Sequence, residues 1–297
     1  MSGTSPTFTL MMTKKIPLGL FQGGLFLYFV LFYYLTQAME DWGNWGLVAM
    51  EGLLLATGLS LYSWRDNAPL HRGSRKENIL LAIFVPLLIY PILLLANGVF
   101  LSLLANLRDL EDASSAFTGR PLGLGVFFFY GVLPALGEEY FFRGGLFQVY
   151  RRYGDRYSLW MTSLLFALFH FHIQNFIVPF LLGLALGYIV LYTGRVVYAI
   201  LGHMVANVAG LVFRLSLSKE NIAWLRSLGL VKKIGSFESS LLLVLLLVSL
   251  LCGFVLTLIL SKKEVPGKLE TRAPQDTLIY GSLPLLFIVV FYCYQVL

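Results

Sequence analysis

Charge is the scarcest property of this chain. Its 22 Lys and Arg and 16 Asp and Glu make up 13% of 297 residues, where a soluble domain carries about a quarter. With 58% hydrophobic residues and a mean hydropathy of +0.76, this shortage excludes an ordinary soluble globular protein. Cysteine is nearly missing. Cys252 and Cys293 both lie in apolar runs without a neighbouring His or Lys. They read as packing residues, not as a disulfide, a metal site or a nucleophile. A basic, aromatic surface domain is missing too, so the net charge of +6 does not indicate nucleic acid. It reads as lysines and arginines flanking membrane spans and meeting anionic headgroups. Period-two alternation is lacking, which excludes a membrane β-barrel. There is no internal repeat, no separate soluble domain and no long hydrophilic tail.

What is present is a series of continuous apolar runs of roughly membrane-spanning length. They cover about 16–37, 45–64, 79–104, 122–152, 157–173, 176–193, 196–213, 239–260 and 278–297. The expected fold is all-α: a polytopic transmembrane helix bundle of about eight to nine spans. It forms one transmembrane domain over 16–297 after a polar tail, 1–15, with the catalytic core at about 120–215. Lys14 and Lys15 precede a first run too long for the apolar core of a signal peptide, so it reads as a retained anchor. The run at 122–152 is roughly 45 Å long as a helix. Its end, with Arg151, Arg152 and Arg156, is therefore expected to reach water. The mixed segment 214–238 is expected to lie along the membrane surface. With nine spans, Lys and Arg divide 14 to 7 in favour of the N-terminal side, which places the N-terminus in the cytoplasm.

Three polar pieces interrupt these runs: Glu138-Glu139-Tyr140-Phe141-Phe142-Arg143, Phe166-Ala167-Leu168-Phe169-His170 and His203-Met204-Val205-Ala206-Asn207. An ionisable side chain inside such a run is costly and points to function. Glu139 and Arg143 stand four apart with the acid first, the favourable order for an ion pair within a helix. Glu138 is turned about 100° from Glu139. A carboxylate with less compensation in an apolar site is the better proton acceptor, so Glu138 is the candidate base. His203 and Asn207, also four apart, offer an imidazole and an amide to one acceptor, as an oxyanion site requires. His170 can share and orient a water with a carboxylate. His172 falls on another face and is left out. Gly137, Gly144 and Gly145 would let neighbouring helices approach closely. Glu51 reads as a polar packing contact or a residue near an interface, and Asn97 and Gln148 read as polar packing contacts. A structural ion-pair or hydrogen-bond network is the plain alternative for all three motifs. The three are expected to converge in a cavity open to the cytoplasm. A proton-coupled transporter fits the same polar set, although it should show inverted repeats that are not found. So does a non-catalytic scaffold or immunity protein.

Glu138-Glu139-x-x-x-Arg143, Phe166-x-x-x-His170 and His203-x-x-x-Asn207, in this order on successive helices, resemble the CPBP family. These are the CAAX prenyl proteases and bacteriocin-processing membrane proteins. The resemblance covers about 120–215 and implies an intramembrane endopeptidase with a glutamate-activated water. It makes Glu138 the base and has His170 help to place the water. His203 and Asn207 stabilise the oxyanion, and Glu139 and Arg143 are the supporting pair or a substrate contact. The implied partners are a membrane-associated peptide or protein substrate and membrane lipids, with no cofactor. The family has also been described as metallopeptidases. This chain has no His-Glu-x-x-His, and Glu138, His170 and His203 would be the only obvious ligand set, so a metal-independent mechanism is favoured. A prenylated C-terminal peptide, a leader peptide and a signalling membrane protein are all compatible substrates.

Overall fold

Lipid offers no hydrogen-bond partners, so an apolar chain of this kind closes its backbone bonds within helices. The computed structural model describes residues 17–62, 74–105, 124–216, 227, 233–234, 237–261 and 283–296. The polar tail 1–15 and most of the segment expected to lie on the membrane surface fall outside them. The helices are α1 (Leu18–Ala38), α2 (Asn44–Tyr62), α3 (Arg75–Ala105), α4 (124–150), α5 (Asp155–Leu168), α6 (Ile177–Thr193), α7 (Val196–Ser216), α8 (Ser239–Ser261) and α9 (Leu283–Val296). Two strands of two residues each, β1 (Lys233–Ile234) and β2 (Phe237–Glu238), pair antiparallel before α8.

Among the described residues, Leu18–Ala38, Asn44–Tyr62, Arg75–Leu104, Ile173–Thr193 and Val196–Phe213 are long and apolar enough to cross a bilayer. Val244–Leu258 and Pro284–Gln295 are shorter apolar stretches. The protein is an all-α, polytopic membrane bundle. Helix α2 packs along α4, α5 along α6, and α3 against α6, α7 and α8, while α1 pairs with α9.

Helix α4 is not uniform. It widens into π-helix at Phe128–Val132 and again at Tyr140–Leu146. The first widening leads into Pro134, which has no N–H to donate and whose ring crowds the carbonyl four residues back. Such bulges absorb a misfit of this kind and recur at functional sites. The far end of α4 also departs from expectation. The chain tightens into a 3-10 turn, Arg151–Tyr153. Arg151 folds inward, buried, with Nε 2.8 Å from Asp155 Oδ1. The local acid draws the guanidinium back from water.

Helix α5 stops at Leu168, short of the run read from hydropathy. The His170 and Phe171 N–H groups bond to the Ala167 and Leu168 carbonyls, at 3.2 Å each, and close it off. Phe171 has φ 52°, a left-handed conformation that bulky side chains avoid. It is held by rings from α1: Phe29 at 4.9 Å and Tyr33 at 5.1 Å between centroids. Gly194, at φ 69°, makes the sharp turn from α6 to α7, with its N–H 2.9 Å from the Val190 carbonyl.

Candidate active site

The site is built on a buried ion pair. Arg143 Nη1 lies 2.8 Å from Glu139 Oε1, and both side chains are 0% exposed. Buried charges are stabilising only when further bonds replace the lost water. Arg143 Nη2 donates to the Gly183 carbonyl on α6 at 3.2 Å. Its Cζ stands 4.4 Å from the centroid of the Phe166 ring on α5, a cation–π contact. One guanidinium therefore ties α4, α5 and α6 together. The i,i+4 spacing in the sequence anticipated this pair.

His203, on α7, reaches across to both glutamates. Its Nδ1 is 3.0 Å from Glu139 Oε1 and its Nε2 is 3.8 Å from Glu138 Oε2. A carboxylate only accepts, so Nδ1 carries the hydrogen of the shorter contact. His170 sits in the turn after α5, with Nδ1 2.8 Å from the Phe166 carbonyl. The carbonyl accepts, so this nitrogen too is protonated and Nε2 is the free one. The Phe166 ring is the hub of the group. His170 and His203 meet it edge to face, at 5.1 and 5.7 Å between centroids. Sequence reasoning gave this phenylalanine no role beyond its place in the motif.

Glu138 and His170 line one cavity of about 440 Å³. Phe32, Met50, Leu54, Phe142 and Phe169 supply buried apolar walls, and the exposed Gln37, Glu40, Gly43 and His172 form the rim. Two residues set aside in the sequence reading belong here. His172 stands at the mouth. Glu51 lies on the wall, 6% exposed. Among the described residues, neither Glu51 Oε2 nor Glu138 Oε2 has a hydrogen-bond partner. Gly137 lets α2 come this close, since a Cβ there would overlap the Glu51 carboxylate and backbone carbonyl. A carboxylate in an apolar span was visible in the sequence; the surface it meets was not.

Asn207 is placed differently from the rest. It lies one turn beyond His203, and its Nδ2 donates to the Gly131 carbonyl at 3.3 Å; neither His203 nor Asn207 is among the residues lining the cavity. That carbonyl belongs to the first widened stretch of α4. Among the described residues, no group of three His, Cys, Asp or Glu side chains is placed to hold a metal ion.

The cavity opens at the end of the bundle marked by the α1–α2 turn. Arg152, Arg156 and Arg195 lie at the opposite end, about 20–25 Å away along α5 and α6. The Gln22 Nε2 to Tyr157 hydroxyl bond, 3.2 Å, places the start of α1 at that basic end as well. The sequence reading puts the opening on the basic side. It differs because His170 sits past the end of α5, at the far side of the bundle.

Residues 120–209 match the family described as Rce1-like: Type II CAAX prenyl endopeptidase Rce1-like. No curated protein and no solved structure matches the chain.

Proposed function

Proceeding from the Rce1-like, type II CAAX prenyl endopeptidase assignment of residues 120–209, we propose that this membrane protein hydrolyses a peptide bond of a membrane-associated substrate in the cavity below the α1–α2 turn. The observation that carries the reading is that Glu138 and His170 line one cavity, with His203 Nε2 3.8 Å from Glu138 Oε2. Glu138 takes a proton from a water placed with the help of His170 Nε2. The resulting hydroxide attacks the amide carbonyl. His203 and Asn207 stabilise the oxygen that gains charge. For His203 this requires a ring carrying both protons, because Nδ1 already faces Glu139. Asn207 has a second amide N–H beyond the one given to Gly131. Glu139 and Arg143 hold α4 and His203 in position. No metal takes part in this scheme.

The basic end of the bundle is the cytoplasmic one by the positive-inside rule. The cavity mouth then faces the other side of the membrane. Mostly apolar walls suit a substrate segment that arrives from the lipid, whether or not it carries a prenyl group.

Glu138→Gln keeps the shape of the side chain and removes the base. Cross-linking in membranes should capture peptides on Glu138→Gln that wild type cuts and releases, and cleavage by the variant should be lost. Cleavage at the wild-type rate in Glu138→Gln would overturn the reading.

A further inference from the structure

Peptide hydrolysis needs an acid as well as a base, because the departing amine must receive a proton. Of the residues already placed, only Glu138 can return one, by handing on the proton it takes from water. His170 gives its Nδ1 hydrogen to the Phe166 carbonyl, and in the neutral ring Nε2 has none to give. His203 holds its Nδ1 hydrogen against Glu139 and has its Nε2 hydrogen committed to the oxygen that gains charge. Glu139 itself is bound to Arg143. Glu40 is exposed at the rim.

Glu51 is the second carboxyl on the cavity, which would leave base and acid to separate groups. It is buried at 6% exposure, lines the cavity with Glu138, and keeps Oε2 without a hydrogen-bond partner among the described residues. The residue before Glu138 is a glycine whose missing Cβ leaves the space the Glu51 carboxyl occupies. Among the described residues, no guanidinium or ammonium lines this cavity. Two carboxyl groups lining one cavity in such surroundings share one proton more cheaply than they hold two charges.

We propose that Glu51 is the second catalytic carboxyl of this centre, sharing one proton with Glu138 and delivering it to the leaving amine; this rests on the hydrolase reading. Ionised Glu138 takes a proton from water. The hydroxide oxygen bonds to the carbonyl carbon, and the C=O electron pair moves onto oxygen. Protonated Glu51 gives its proton to the amide nitrogen as the C–N bond breaks and C=O re-forms. A carboxylic acid and an amine leave. Glu138 passes the water-derived proton to Glu51, and the pair is restored.

The groups facing Glu51 are few. They are Glu138 from α4, Tyr28 from α1, whose hydroxyl donates to Thr57 Oγ1 at 3.3 Å, and, across the cavity, His170, His172 and Glu40. The test uses the full chain in detergent as wild type, Glu51→Gln and Glu138→Gln. Infrared spectra across a pH titration read protonated carboxyl groups without any substrate. Wild type should hold a protonated carboxyl band near neutral pH that Glu51→Gln removes and Glu138→Gln shifts. A quenched peptide ending in a farnesylated cysteine and three further residues is the cleavage probe. Glu51→Gln should cut it at least about 100-fold more slowly, the low end for losing a general acid, with KM little changed. A wild-type spectrum with no band sensitive to Glu51→Gln overturns the shared proton. A folded Glu51→Gln that cleaves at the wild-type rate overturns the acid role. A wild type that leaves the probe uncut counts against this probe as substrate, and the infrared arm still decides the pair.

Discussion

Removing the Arg143 guanidinium would leave the fully buried Glu139 carboxylate with only the His203 contact. Arg143→Leu should therefore lower stability by about 3–5 kcal/mol, the usual loss when one partner of a buried pair is deleted. Thermal melting in detergent reads this. Arg143→Lys should recover only part of the loss, because an ammonium cannot reach Glu139 and Gly183 at once while lying over Phe166. A melting point unchanged in Arg143→Leu would show that the pair holds nothing together. At this scale the sequence was partly transparent. Four-residue spacing announced the Glu139/Arg143 contact, and the cost of charge in an apolar run singled out Glu138, His170 and His203. Glu51 and His172 were set aside, and Phe166 was given no role of its own, for a common reason. Their importance lies in what stands across from them, and spacing along one helix does not carry that.

Helix contacts give a sharper contrast, because three glycines flagged together turn out to differ. A Cβ on Gly137 would overlap Glu51, and one on Gly145 would press on Leu61, both on α2. A Cβ on Gly144 would meet only the Tyr140 ring of its own helix, at 3.4 Å. From the α2 side, a Cβ on Gly58 would overlap the Tyr140 backbone. Gly58→Ala should thus destabilise by about 1–3 kcal/mol or more through overpacking, while Gly144→Ala should melt close to wild type. Equal melting of the two variants would contradict the α2–α4 packing. The turn after α5 offers a second contrast. Phe29→Ala removes a ring that holds Phe171 in its left-handed conformation, so it should slow cleavage although it lies outside the cavity lining. Helix existence was legible because long apolar runs permit little else. The widened turns of α4 and the early end of α5 were not, since a run that is apolar on every side shows no period to mark a break.

The bundle as a whole has two unlike ends. Arg152, Arg156 and Arg195 mark one, and the acidic Glu40 and Asp41 lie at the other beside the cavity mouth. In a chain lacking Cys252 and Cys293, Glu40→Cys should react with a membrane-impermeant maleimide applied outside intact cells. Arg195→Cys should react only after the membrane is opened; both positions are exposed. The reverse pattern would turn the protein over and place the mouth in the cytoplasm. Lys and Arg counts gave the sequence reading its two sides. Which side the cavity opens on depended on where α5 ends. The central claim, that water activated by Glu138 cuts an amide bond, is tested most directly by cleavage in water enriched in oxygen-18. Mass spectrometry of membrane proteins exposed to the purified enzyme should find heavy oxygen in newly formed C-terminal carboxyl groups with wild type and none with Glu138→Gln. New C-termini that form equally with both, or none with wild type, would contradict it.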